Sequence, residues 1–134
     1  MGCGRVGASL ALALERGGHS VAVIDASQDS FRRLGSAFHG QTVKGMGFDR
    51  EVLRQAGIEH AGAFAAVSSG DNSNILAARV VRETFGVTNV VARIYDQRRA
   101  AVYERLGIPT VAPVAWMADQ MLSRLLPGDH PKHD

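Results

Sequence analysis

Apolar positions along the chain change period repeatedly, and each change predicts an element. Val6, Leu10, Ala13 and Leu14 recur at i, i+4, i+7 and i+8, the pattern of an amphipathic helix over about 5–17 that ends at Gly17-Gly18. Ser20 to Ile24 is a short apolar run of strand length closing on Asp25, followed by a polar helix over about 28–37. Gln41 to Lys44 reads as a second strand closing on Gly45, and Asp49 as the cap of a helix holding Val52, Leu53 and Ala56 and stopped by Gly57. Ala63 to Val67 is a third strand ending at Ser68-Ser69-Gly70. Asp71 or Asn72 then caps a helix to about Phe85, with Gly86 as its stop. Asn89 to Ala92 is a fourth strand ending at Arg93, and a helix over about 97–106 carries Val102, Tyr103 and Leu106 before Gly107. Pro109-Thr110-Val111 forms a short fifth strand, and Pro113 starts a last helix with the apolar stripe Val114, Met117, Met121, Leu122 and Leu125.

Short strands alternating with helices throughout require parallel pairing with helical crossovers. The expected fold is α/β, a Rossmann-like doubly wound parallel sheet. Residues 1–126 read as one domain and 127–134 as a polar C-terminal tail, with no internal repeat, linker or low-complexity segment. Gly2, Gly4 and Gly7 fit the G-x-G-x-x-G spacing of a dinucleotide-binding turn, in which the glycines allow a tight bend, close approach of backbone N–H groups to a pyrophosphate, and close helix–sheet packing. Such a turn normally follows an apolar strand at the centre of the sheet, and only Met1 stands before Gly2. The first strand is therefore expected to be truncated, and the domain either to fold poorly or to leave a gap beside the second strand.

Composition narrows the function. The 134 residues are 46% apolar, enough for a genuine core, and 15 basic against 13 acidic side chains leave a net charge of +2. Without a basic run or an aromatic-interleaved patch, nucleic acid is not an expected partner. Cys3 is the one cysteine, so a disulfide framework within the chain is excluded and a reducing setting fits. The five histidines are scattered without ligand spacing, and no metal site is expected.

Candidate chemistry gathers at the predicted carboxyl ends of the strands, where open α/β sheets bind ligands. Asp25 stands 18 positions after Gly7, the distance of an acid that takes hydrogen bonds from an adenosine ribose; the competing reading is an Asp that opens a turn or caps the next helix. An acid there repels a 2′-phosphate, and no Arg follows at once, which disfavours NADP. Arg5 in the first turn of a helix opposes the macrodipole unless a phosphate lies nearby, so it is read as either a phosphate ligand or a solvated cation. Arg93 is either a ligand group on the same rim or the partner of Asp96 or Asp71. Ser68 and Asn74 could bond a ligand or form a turn and a helix cap; Arg98 and Arg99 read as a solvated face, and Trp116 as packing. A dehydrogenase also needs a group that moves a proton beside the hydride, and no such arrangement is legible, so nucleotide binding without catalysis is the favoured reading. The alternative is the cofactor-binding part of an NAD-dependent oxidoreductase.

These residues resemble a known family, the RCK or KTN nucleotide-binding domain of potassium-transport regulators, also called the TrkA N-terminal domain family. The likeness runs from Gly2 to about Leu126. It rests on Gly2-Cys3-Gly4-Arg5-Val6-Gly7, Gly18-His19-Ser20-Val21 leading to Ile24-Asp25, Leu53 to Ile58, Val67 to Asn74, Val91-Ala92-Arg93, and Tyr103 to Gly107. The resemblance implies a cytoplasmic regulatory subunit, peripheral to the inner face of the cell membrane, that binds NAD or NADH, alternatively ATP or ADP. It would gate a membrane potassium transporter subunit and assemble as a homodimer or a higher ring. Carried over, Gly2, Gly4, Arg5 and Gly7 would hold the phosphates, Asp25 the ribose, and Ser68 and Arg93 would line the same cleft. Where the family usually reads Gly-Asp-Ala/Ser, this chain has Gly45-Met46-Gly47. A polar contact near the adenine is thereby lost, and Met46 is available to pack on the base. The family often carries a separate C-terminal ligand domain; this chain is expected to be a minimal regulator or a fragment.

Overall fold

The structure, a computed structural model, describes residues 1–126. The predicted alternation is present. The elements are α1 (Arg5–Arg16), β1 (Ala22–Asp25), β2 (Gln41–Lys44), α2 (Arg50–Gln55), β3 (Ala63–Ala66), α3 (Asp71–Glu83), β4 (Asn89–Arg93), α4 (Gln97–Arg105), β5 (Thr110–Val111) and α5 (Pro113–Leu125). All strand pairs are parallel, but they fall into two groups: β1 pairs with β2, and β3, β4 and β5 pair in that order. From the line between β1 and β3 the strand order runs outward in both directions. That makes this line the topological switch point, where an open α/β sheet binds its ligands.

The two groups meet at Met1 and Gly2. The Met1 ammonium donates to the Ala65 carbonyl at 2.8 Å, and the Met1 carbonyl accepts from Val67 N at 2.8 Å. Gly2 N donates to the Ile24 carbonyl of β1 at 2.7 Å. These two residues are the upper end of a strand position between β1 and β3, and below them the position is open. The expected gap is therefore present, and it separates β1 from β3.

The larger part of the core joins both groups: Ile24 of β1 and Val43 of β2 pack with Leu53 and with Ala66, Ile75, Val81, Val90 and Ile94 of β3, α3 and β4; a smaller part packs Cys3, Ala8 and Ala11 against Val23 and Leu34. Asp49 caps α2 as expected, accepting from Glu51 N and Val52 N.

Several local expectations are corrected. The polar helix expected over about 28–37 is present but shorter, a 3-10 helix over Gln28–Leu34. Its polar side chains offer little apolar face to pack. A second 3-10 turn, Ile58–His60, follows α2. Neither Asp71 nor Asn72 caps α3: the N-cap is Gly70, and the Asp71 carboxylate instead accepts from Tyr95 N and Asp96 N, tying α3 to the turn after β4. Trp116 does not pack; it is 61% exposed, and no residue of α5 is buried.

The Met1 amine is partly buried under the rim, and burial pushes its pKa from 8.0 to about 6, against an opposing pull from Asp25 and Cys3. Between these values the unfolded chain binds more protons than the folded one, so stability rises with pH. For this 134-residue chain with a free amine, urea melts should show a gain of about 2–3 kcal/mol from pH 6 to pH 8. Acetylating the amine should remove that dependence; a chain equally stable at both values would contradict the burial.

Candidate functional site

A cleft of about 440 Å³ opens over the carboxyl ends of β1, β3 and β4. Five of the seven residues singled out in the sequence line it: Gly2, Gly4, Asp25, Ser68 and Arg93. Arg5 and Gly7 do not. Arg5 is exposed in the first turn of α1, and its side chain takes no partner among the described residues. Gly7 is buried, where a Cβ would overlap the Gly2 carbonyl; it acts in packing α1 against the turn.

The three glycines therefore do three different things. Gly2 has φ +100°, and a Cβ there would sit 2.6 Å from Ser68 N, so only glycine lets the turn pass under the end of β3. Gly4 is the N-cap of α1, with no side-chain cap and no acidic residue in the first turn. Nothing lies within 4 Å of where its Cβ would be. The start of α1 thus presents uncapped N–H groups and the positive end of the helix dipole beside open space, the arrangement that favours an anion.

Asp25 ends β1 and faces this turn. One carboxylate oxygen accepts from Cys3 N at 2.7 Å and the other from Ser27 N at 2.8 Å. The turn-opening alternative is thus realised, and the same bonds hold the carboxylate at the cleft wall. A carboxylate has about four lone-pair sites, so each oxygen keeps capacity for a further donor. The Cys3 thiol beside it is pushed up by burial first, then by the Asp25 charge.

On the opposite wall Ser68 and Arg93 are set by one side chain. Asn74, on the inner face of α3, is fully buried. Its Oδ1 accepts from Ser68 N at 2.9 Å and Ser68 Oγ at 2.6 Å; its Nδ2 donates to the carbonyls of Ser68 at 2.9 Å and Arg93 at 2.8 Å. Asn74 therefore brackets the ends of β3 and β4 and is neither a helix cap nor a lining residue. Its place on the buried face of an amphipathic helix, beside Ile75 and Ala78, was the available signal. Arg93 donates from one nitrogen to the carbonyls of Val67 and Ser68 at 2.8 and 3.0 Å, and its guanidinium lies 5.1 Å from the Tyr95 ring centroid. It forms no ion pair with Asp71 or Asp96, whose carboxylates serve backbone N–H groups. Arg93 Nε is buried without a partner, a donor that the fold itself leaves unused.

The cleft is also lined by residues the motifs did not single out, among them Ser30, Ser69, Gly70 and Ser73, and by the Gly45-Met46-Gly47 turn. Met46 is 46% exposed there, an apolar surface beside hydroxyls and amides. Arg98 is exposed and Arg99 half-buried, Arg99 donating to Asn72. Among the described residues no cluster of three or more His, Cys, Asp or Glu could hold a metal ion, and no helix is long and apolar enough to cross a membrane. A turn with open space above an uncapped helix start, in a cleft that Arg93 also lines, fits the phosphates of a nucleotide.

Known proteins resemble this chain in sequence and in fold. The TrkA-N domain model matches residues 1–113. The chain is 74% identical over 128 residues to the Trk system potassium uptake protein TrkA of Streptomyces coelicolor, covering 96% of this chain and 57% of that protein. It is 34% identical over 104 residues to a Trk system potassium uptake protein TrkA homolog of Pyrococcus horikoshii, covering 78% and 46%. The chain thus spans about half the length of these relatives. Among solved structures, the AMP-bound Kef CTD of Shewanella denitrificans aligns with a TM-score of 0.78 at 20% identity, covering 96% of this chain and 80% of that one. The TrkA-N domain of the inner membrane protein ybaL of Escherichia coli aligns with a TM-score of 0.75 at 23% identity, covering 93% of each. At such identities the structural likeness speaks to the fold, which is Rossmann-like.

Replacing Asn74 by Ala leaves Ser68 N and the Arg93 carbonyl without their buried partner. Chemical denaturation should register a loss of about 1–3 kcal/mol. A variant as stable as the parent would mean that the bracket carries no energy.

Proposed function

The chain belongs to the TrkA-N domain family, and on that premise we propose that it is the nucleotide-binding module of a regulator of potassium uptake. It takes NAD or NADH, alternatively ATP or ADP, and passes the bound state to a membrane potassium transporter subunit from the cytoplasmic side. The observation that carries the reading is the cleft itself, in a chain so like a protein named for potassium uptake. Open space at Gly4, an uncapped α1, Asp25 and Arg93 border one volume.

In this reading the start of α1 and the backbone around Gly4 receive phosphate, which is charge-matched to the helix dipole. Asp25 receives ribose hydroxyls on its remaining lone pairs. Ser68 and Arg93, set by Asn74, close the far side. Arg5, exposed beside the turn, neutralises phosphate charge from outside the cleft, and Gly7 acts through packing alone. Met46 covers the base in place of a polar contact. The module binds without catalysing: the titratable side chains that line it, Asp25 and Arg93, are both held by backbone bonds within the fold. Neither is set to shuttle a proton.

Calorimetric titration with NADH, NAD, ATP and ADP tests binding. Asp25→Ala should weaken it by about 1.5–3 kcal/mol, roughly ten- to a hundredfold, with the melting transition checked in parallel because Asp25 also braces the turn. Unchanged affinity would remove Asp25 from the site, and hydride transfer to any simple substrate would overturn the regulatory reading in favour of an oxidoreductase.

We propose further that α5 pairs two copies of the chain. Val114, Met117, Met121, Leu122 and Leu125 form one stripe and are all exposed. Sedimentation should find dimers at micromolar concentration and monomers after Met121→Asp; a parent chain that stays monomeric would contradict the pairing.

A further inference from the structure

The rim of the sheet orders the parts of a bound nucleotide, resting on the reading that Gly4 and the start of α1 take its phosphates and Asp25 its ribose. Along the rim the strand ends run β2, β1, then β3 and β4 beyond the switch line. Phosphate at the turn and ribose at the end of β1 leave the end of β2 for the base. The cleft is walled there by Ala26 and Ser30 after β1 and by the Gly45-Met46-Gly47 turn after β2. Contacts behind the cleft hold this turn in place. Gly45 N donates to the Asp25 carbonyl at 3.0 Å, and the Met46 carbonyl accepts from N of Asp49, the cap residue of α2, at 3.0 Å. A Cβ on Gly45 would sit 2.5 Å from Val52 Cγ2, and Gly47 is buried against the Met1 side chain. Met46 is therefore the one side chain that the three-residue turn carries, and it stays 46% exposed at the cleft.

We infer that the cleft grips a purine nucleotide by its sugar and phosphates and leaves the edge of the base unread, so that guanine nucleotides bind as well as adenine nucleotides. The side chains at the base end are a thioether and a hydroxyl. The Met46 thioether is flexible and polarizable, and it covers a purine face whatever substituents the edge carries. The Ser30 hydroxyl both donates and accepts, so it meets the amino group on C6 of adenine and the carbonyl on C6 of guanine equally well. Telling the two apart takes a group of fixed sense, such as a carboxylate that only accepts or a guanidinium that only donates. Among the described residues the cleft is lined by two such side chains, and both are placed away from the base. Asp25 gives one oxygen to Cys3 N and the other to Ser27 N, and its remaining capacity faces the ribose. Arg93 ends β4, beyond the switch line. The backbone carbonyl at the middle of the turn is already directed to Asp49. A pocket of this kind discriminates weakly, because neither base leaves a buried group of the protein without its partner.

Calorimetry on the 134-residue chain compares ADP with GDP, and NAD with nicotinamide guanine dinucleotide. The members of each pair should bind within about fivefold of one another, the worth of one ordinary hydrogen bond. Met46→Ala should weaken ADP and GDP by the same factor, about five- to tenfold, because a covering contact is lost from both. Met46→Leu should restore both. Asp25→Ala should also weaken the two alike, as expected of ligands that share one cleft. A preference for either base larger than fivefold would overturn the proposal and leave the nucleotide reading standing. So would a Met46→Ala variant that loses affinity for one base alone, or for neither. A chain that binds none of the four nucleotides would overturn the nucleotide reading and this proposal together.

Discussion

The carboxyl rim hangs from three backbone hydrogen bonds made by two residues. Met1 donates to Ala65 O and accepts from Val67 N, and Gly2 donates to Ile24 O. Each is worth about 0.5–1.5 kcal/mol net, but their position matters more than their sum. They join the β1 edge to the β3 edge at the height of the cleft, above the buried contacts that Ile24 and Val43 share with β3 and β4. Gly2 must pass so close under Ser68 that no side chain fits, and Gly7 must let α1 settle onto the Gly2 carbonyl. The turn, the helix start and the first strand end are thereby fixed relative to the third strand end, and the cleft is the space left among them.

The two walls of that space are stabilised in different ways. On the β1 side, Asp25 holds the turn by accepting backbone N–H groups, so a negative charge is placed where it also compensates local dipoles. On the β3–β4 side a neutral amide does the corresponding work: Asn74 satisfies four backbone and hydroxyl groups from the interior without bringing a charge out of water. A charge at Asn74 would need compensation that the apolar surroundings of α3 do not offer. The cation enters instead at Arg93, on the rim, over the Tyr95 ring and with one donor unspent.

Much of the fold was legible because burial imposes a period. Five short strand-length runs became β1 to β5, and Asp25, Ser68 and Arg93 reached one cleft because each ends or follows a parallel strand. What was not legible depends on partners that period does not encode. The stretch Gln28–Leu34 has too few apolar positions to settle a full α-helix, and it winds as 3-10. Gly2, Gly4 and Gly7 carry a single spacing but three separate duties, which only the neighbours of each Cβ position reveal. Asp71 and Asn74 both sit early in α3 with cap-like side chains, yet one ties to the turn after β4 and the other is enclosed by strand ends. Trp116 was read as packing from its size alone, on a helix whose apolar stripe has nothing beneath it among the described residues.

The most direct test of the account is where a nucleotide sits. Crystals of the chain grown with NADH, and separately with ATP, should show phosphate density over Gly4 and the first turn of α1, with the ribose hydroxyls against Asp25. Ordered nucleotide bound anywhere else, or a cleft that stays empty while calorimetry records tight binding, would contradict it.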